Sequence, residues 1–206
     1  MNTLDSRFCR LGDTFAQRFT QSGNYTYDFN LPGVPPFGHA NRFSITVKGT
    51  FDIDKDGEQH FVTVRREGTN FVADPPKLEI ATGDVVLWST NEANTPGFSI
   101  SGKSANDSFN SGNMEKNALY SHAFGSPGEI EWLDANAHGP AGTIIVKMPK
   151  TESAESMEAF KEKLAQGTVI VINGKKADKE QVEILVGQTV FFVVEKAEGI
   201  AVTQRL

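Results

Sequence analysis

An internal repeat constrains the fold of this 206-residue chain more than any other feature. The segment 78–88, Leu-Glu-Ile-Ala-Thr-Gly-Asp-Val-Val-Leu-Trp, returns at 182–192 as Val-Glu-Ile-Leu-Val-Gly-Gln-Thr-Val-Phe-Phe. The alternation of apolar and polar residues around a glycine is typical of a strand, a tight turn and a second strand. Residues 19–27 and 124–132 match each other in the same way, with aromatic and glycine positions that coincide. Two copies of one β unit are therefore predicted.

Most of the remaining chain also reads as β structure, with one helix. Residues 12–48 contain aromatic side chains at intervals of two, which favours strands. Residues 151–167 differ, because Met157, Phe160 and Leu164 recur at helical spacing and lysines follow the early acidic residues. Gly167 is the predicted stop of this helix. The predicted fold class is all-β with one short helix.

The stretch 78–146 resembles the second half of a cupredoxin, the blue-copper β-sandwich. It begins with the strand, turn and strand of 78–88 and ends with the strand, loop and strand of 128–146. The resemblance implies two cupredoxin-like Greek-key sandwiches. Residues 50–148 are predicted to form a continuous domain, and residues 149–167 a helical linker. Residues 1–49 resemble a back half and residues 168–206 a front half, so together they are predicted to form a second, split domain.

A half sandwich alone would leave an apolar face and unpaired strand edges exposed. We expect the two ends of the chain to meet and form a circularly permuted second domain, because chain termini often lie close together. The alternative is exchange between molecules, in which the C-terminal half of one copy completes the N-terminal half of the next and produces an oligomer or a filament.

The family's copper ligands are missing from the matching positions. A type 1 copper site uses two histidines, one cysteine and usually a weak axial methionine. The resemblance places the first histidine at Gly97, the cysteine at Asp134, the second histidine at Ala137 and the methionine at Pro140. The resemblance therefore implies a sandwich without copper, and no cofactor is predicted.

A different metal set is the alternative. His138 adjoins a lost ligand position, and together with Asp134 and His122 it could bind a harder metal ion. No spacing among these residues matches a known metal motif. We therefore interpret His138 as a loop residue and His122 as a strand residue.

Composition argues against several classes of function. The chain has 20 basic and 26 acidic residues, a net charge of −6 and no basic cluster, which argues against binding nucleic acid. Its single cysteine, Cys9, cannot form an intrachain disulfide. No apolar run has the length of a signal peptide or of a membrane helix, so a cytoplasmic location is the default expectation, with the compartment of the mature protein left open. No phosphate-binding loop, nucleophile elbow or zinc-protease motif occurs, and no enzyme is predicted.

The sequence thus predicts a non-enzymatic, copper-free structural or accessory subunit. Its partners would be other proteins, either copies of itself or a larger complex. The apolar stripe of Met157, Phe160 and Leu164 is the candidate interface. The alternative is a metal-binding electron-transfer protein with non-standard ligands around Asp134 and His138.

Overall fold

A computed structural model describes residues 3–31, 43–137, 139–197 and 199–205. They form an all-β fold with one short helix, which confirms the predicted fold class at that level. The first nine strands are β1 (Asp13–Arg18), β2 (Gly23–Asn30), β3 (Phe43–Lys48), β4 (Gln59–Glu67), β5 (Asn70–Asp74), β6 (Lys77–Ala81), β7 (Val85–Ser89), β8 (Ser99–Lys103) and β9 (Ser108–Asn110). The later elements are β10 (Ala118–Ala123), β11 (Gly128–Asp134), β12 (Ala141–Lys147), α1 (Ala154–Leu164), β13 (Thr168–Asn173), β14 (Lys176–Ala177), β15 (Gln181–Leu185), β16 (Thr189–Lys196) and β17 (Val202–Gln204).

The strands form two β-sandwiches that share one sheet. The shared sheet has eight strands in the order β14-β13-β16-β10-β1-β7-β4-β5. A five-stranded sheet, β6-β3-β2-β8-β9, covers the β1 half, where the ring of Trp88 lies 5.3 Å from that of Phe109 and 5.5 Å from that of Tyr27. A four-stranded sheet, β15-β12-β11-β17, covers the β10 half, where Trp132 lies 5.0 Å from Phe192. We call these halves the first and the second sandwich.

A local two-fold relates the two sandwiches. Strands β1 and β10 pair antiparallel at the seam, where Phe15 lies opposite its repeat equivalent, Tyr120. In the repeat, Asp13 is equivalent to Ala118, and Gln17 to His122. The two flanking pairs are therefore related by the two-fold, because Asp13 lies opposite His122 and Gln17 opposite Ala118. The repeat in the sequence therefore corresponds to a repeat in space, with its axis at the Phe15–Tyr120 pair.

Matching details in the two sandwiches support this relation. Gly83 and Gly187 occupy equivalent turns with φ of 100° and 93°, a left-handed conformation that favours glycine. Two ion pairs at equivalent positions, Lys48–Glu79 and Lys147–Glu183, each join a lysine to a carboxylate across a parallel strand pair at 2.5 Å.

The segment that precedes each sandwich pairs with the other sandwich. Strand β9 precedes β10 along the chain, yet it pairs with β8 of the first sandwich, with Asn110 opposite Ser101. Residues 3–6 are the repeat equivalent of β9, and we call them the N-terminal arm. The arm pairs with β17 of the second sandwich, where Asp5 lies opposite Thr203. The N-terminal arm and its equivalent β9, which we call the two arms, are thus exchanged between the sandwiches.

This strand pairing differs from the predicted domain division. The prediction joined residues 1–49 with 168–206 and made 50–148 continuous. In the structure, β2 and β3 pair with β8 and β6, while β11 and β12 pair with β17 and β15. Each sandwich takes its back half before its front half, so the two sandwiches follow one another along the chain. Within the described residues, the N-terminal arm supplies the backbone pairing between the two ends of the chain.

Helix α1 is shorter than the predicted 149–167 linker. It begins after Ser153, whose side chain accepts a hydrogen bond from the Ser156 N–H. Its C-cap is Ala165, which has a right-handed helical conformation, so the helix ends before the predicted stop at Gly167. Gly167 instead lies against the ring of Phe191. A Cβ at position 167 would come within 2.1 Å of that ring, so the position has no room for a side chain. None of the helix residues is buried.

Candidate functional site

The structure divides the four predicted copper positions between the two sandwiches. Gly97 precedes β8 in the first sandwich, whereas Asp134, Ala137 and Pro140 lie at the β11–β12 connection in the second. Because β11 pairs with β17, Asp134 comes close to Ala201, and its Oδ1 accepts the Ala201 N–H at 2.9 Å. The predicted set therefore does not converge on one site.

Asp134 makes structural hydrogen bonds within the β11–β12 connection. Its side chain is buried, and Oδ1 also accepts the Asn136 N–H at 3.0 Å. Its backbone carbonyl accepts the Ala137 N–H, and its N–H donates to the Pro140 carbonyl. These bonds fasten the connection to the chain that precedes β17.

The alternative metal ligands are only partly described. His122 lies in β10, as expected of a strand residue, and His138 lies outside the described residues. Across residues 3–31, 43–137, 139–197 and 199–205, no group of three or more His, Cys, Asp or Glu side chains could hold a metal ion. The metal-binding alternative stays a prediction.

His122 belongs to a buried polar cluster at the seam of the shared sheet. Its Nδ1 lies 2.5 Å from Asp13 Oδ1, and the two side chains are 3% and 1% exposed. The Tyr120 hydroxyl donates to the same carboxylate oxygen at 2.9 Å and accepts the Asp5 N–H at 3.1 Å. Burial, followed by the nearby Asp13 charge, raises the pKa of Tyr120 well above its ordinary value. The cluster joins the N-terminal arm to the β1–β10 pair.

A second histidine–carboxylate pair lies at the β6–β7 turn. Asp84 accepts hydrogen bonds from His60 Nε2, the Glu58 N–H and the Ala81 N–H, each at 2.9 Å. Burial alone would raise the pKa of Asp84, but these hydrogen bonds outweigh it and lower that pKa. A cavity of about 380 Å³ adjoins the pair, and Lys48 and Glu79 line part of it. Because the polar groups of this turn already pair with one another, we assign them a structural role.

Gln188 is the repeat equivalent of Asp84, and its amide makes a different set of contacts. Its Oε1 accepts the Leu185 N–H at 2.7 Å, as Asp84 does from Ala81. Its Nε2 donates to the carbonyls of Lys163 and Gln166, at 2.7 and 3.0 Å. A carboxylate could not make these two donations, because it only accepts. Gln188 therefore holds the C-terminal end of helix α1 against the second sandwich.

The predicted helical stripe lies at the surface. Met157 and Leu164 are each 39% exposed, and Phe160 is half-buried. Leu164 also packs against Gly187, where a Cβ would come within 2.8 Å of the leucine side chain. The stripe is thus available to a partner over only part of its area.

The outer face of the shared sheet carries a line of apolar side chains. Alternate residues of its strands point into the two cores, and the others point outward. The backbone registers align six outward residues in one line across the sheet, from β13 to β4: Val171, Val193, Leu119, Ala16, Leu87 and Phe61. We call this line the apolar row.

Side chains in the apolar row are exposed or half-buried, apart from Ala16. Phe61 is 64% exposed. A neighbouring parallel line is also uncharged and runs through Val169, Phe191, Ser121, Thr14, Ser89 and Thr63. A sheet face that meets water is normally polar, and these two uncharged lines depart from that pattern.

Sequence reasoning did not identify this face, although a signal was present. Strands with one wet face alternate, whereas 190–194 and 169–172 are continuous apolar runs. Such runs indicate strands that are apolar on both faces. Their alignment into one row follows from the register between distant strands, which a single sequence does not provide.

Comparison with family models, with curated proteins and with solved structures found no match to this chain. In the described part of the chain, no helix is long and apolar enough to cross a membrane.

Proposed function

We propose that this chain is a non-enzymatic structural or accessory subunit that binds protein through the outer face of its eight-stranded sheet. The observation that carries the proposal is the apolar row. Six aligned uncharged residues cross both sandwiches on the sheet face opposite the two cores, and five of the six side chains are exposed or half-buried. Contact surfaces of proteins have such uncharged centres with polar margins.

The likeness to copper-free cupredoxins remains part of this proposal. Two facing sheets in each sandwich and a repeated strand-turn-strand unit support it. The hydrogen bonds of Asp134 to backbone N–H groups give that residue a structural role, which agrees with a subunit that needs no cofactor.

Buried polar groups in this protein are also used structurally. The Asp13–His122 pair is almost fully enclosed, so its polar atoms hold the seam and the arm together rather than meet a substrate. This arrangement supports a non-enzymatic role.

The test combines light scattering over a wide concentration range with capture of partners from the native source on immobilised protein. We expect self-association or a captured complex, and we expect Phe61→Lys to weaken it. Ile53→Lys is the matched control, because Ile53 is 79% exposed but lies outside the sheet. A strict monomer that captures no partner would contradict the proposal.

A further inference from the structure

We infer that the apolar row binds a second copy of this chain, so that two eight-stranded sheets pack face to face around a two-fold axis parallel to β1 and β10. This inference rests on the proposed function, because it names the partner of the same surface. Three features of the outer face support it: the complementarity of side-chain size, the placement of charge and the area.

Side-chain size along the apolar row is self-complementary. The row has three residues on each side of the β1–β10 seam. A two-fold axis along the seam places each residue opposite its counterpart at the same distance on the other side. Leu119 then meets Ala16, and Phe61 meets Val171. Large side chains therefore face smaller ones, which is what interdigitating sheets require.

In the neighbouring line, one aromatic side chain faces a small one, and two small side chains face each other. The axis places Phe191 of one copy opposite Ser89 of the other, and Ser121 opposite Thr14. A single patch can form a two-fold interface only if it contains its own complement. Both lines of this face meet that condition.

Charge on the outer face lies at its margin. Arg18 and Glu195 lie in a third line, on the side of the apolar row away from the neighbouring line. Arg18 follows Ala16 on β1 by two positions, Glu195 follows Val193 on β16 by two positions, and β1 and β16 run in the same direction. The two-fold axis places Glu195 of one copy over β7 of the other, with a lateral offset of one strand spacing from Arg18. Opposite charges thus flank an uncharged centre, although each chain carries a net charge of −6.

The area is sufficient for a specific dimer. Six strands about 4.8 Å apart, with about five residues of each strand at 3.3 Å per residue, give a flat area of roughly 470 Å² per copy. Two copies then bury about 940 Å² before side-chain relief is counted, and that relief brings the total to about the 1,000 Å² of the smallest specific interfaces.

The first experiment is sedimentation velocity from about 1 to 500 μM on the parent chain and on Phe61→Lys, Leu87→Lys and Ile53→Lys. We expect a dimer for the parent and for Ile53→Lys, and a dissociation constant at least about 100-fold weaker for the two variants of the row. Unchanged unfolding midpoints would show that the variants are folded.

The second experiment tests the geometry. A two-fold along the seam places residue 61 of one copy about 10 Å from residue 171 of the other, but about 24 Å or more, five strand spacings, from residue 61 of the other. A bismaleimide of about 10 Å reach should therefore crosslink a mixture of Phe61→Cys and Val171→Cys proteins, and neither protein alone. The parent chain, whose Cys9 is buried, is the control.

The outcomes separate the inference from the proposed function. A parent chain that stays monomeric, row variants that dimerise as well as the parent, or crosslinking of Phe61→Cys protein by itself would overturn the inference. If the monomer nevertheless captures a different protein through Phe61, the proposed function stands and the second copy does not. If neither self-association nor capture depends on the row, both fail.

Discussion

Removal of the N-terminal arm should destabilise the second sandwich, although the arm precedes the first. Leu4 is 1% exposed, and its burial contributes about 2–3 kcal/mol. The backbone bonds from the Ser6 N–H to the Val202 carbonyl and from the Gln204 N–H to the Leu4 carbonyl, both 2.9 Å, contribute about 1 kcal/mol each. A variant that begins at Arg7 should therefore lose about 4–5 kcal/mol, and its midpoint should fall by about 2 M urea.

Each sandwich carries one tryptophan, which makes the assay specific. Trp88 lies in the core of the first sandwich and Trp132 in that of the second. In truncated proteins that carry Trp88→Phe, fluorescence reports the second sandwich, and the shift should appear there. In truncated proteins that carry Trp132→Phe, the shift should be smaller, because β9 remains in place. A peptide of residues 1–8 should raise the unfolding midpoint of the truncated second sandwich, by an amount that grows with the logarithm of its concentration.

Cys9 gives an independent measure of arm opening. Its Sγ lies 3.7 Å from the Ser6 carbonyl, and burial, followed by the charges of Asp13 and Asp5, raises the pKa of the thiol well above its ordinary value. The intact protein should react slowly with a thiol reagent, and the truncated protein at least about tenfold faster. An unchanged midpoint for Trp132, or a larger shift for Trp88 than for Trp132, would refute the exchange of arms.

Three further changes test the buried polar groups by urea unfolding and amide exchange. Asp13→Ala should cost about 3–5 kcal/mol because it leaves His122 and the Tyr120 hydroxyl buried without their carboxylate partner. Adding His122→Gln, which copies the equivalent pair across the local two-fold, should recover the part of the loss that belongs to the histidine; equal losses in both variants would contradict this. The pKa of Asp84 is below its ordinary 3.8 when folded, so its stabilisation should be complete above pH 5 and disappear as the pH falls through the folded pKa, and Asp84→Asn should remove that acid-dependent part; an identical pH dependence in both proteins would argue against it. Gln188→Glu should speed amide exchange in helix α1, because a carboxylate replaces the donor to two carbonyls, and unchanged protection would exclude that contact as the tether.

The sequence repeat predicted β structure, and the apolar stripe of 157–164 predicted one helix, but neither predicted the grouping of strands. The matched segments at 19–27, 78–88, 124–132 and 182–192 alternate between two types. Such a series can be divided after the first segment or after the second, and both divisions satisfy the pattern. The parallel pairs β3–β6 and β12–β15 decide between them, and these pairs join residues far apart in the chain. Local periodicity contains no information about such pairs.

The candidate site was harder to predict for the same reason. The sequence indicated helix α1 as the interface because its stripe of Met157, Phe160 and Leu164 is local in the chain. The apolar row combines one residue from each of six strands, so it exists only after the register is fixed. Leu119 and Ala16 are unremarkable in sequence and become neighbours only at the seam.

Several sheet edges of this fold are either paired with another strand or unsuited to further pairing. The two-fold seam already joins the sandwiches edge to edge through β1 and β10, and the exchanged arms cover β8 and β17. The outer edges of the shared sheet are poor templates for further pairing. At one end β14 has only two residues, and at the other β5 is followed directly by Pro75 and Pro76. Because short strands and prolines discourage growth of the sheet sideways, they leave the outer face of the shared sheet as the surface that we propose for a second copy.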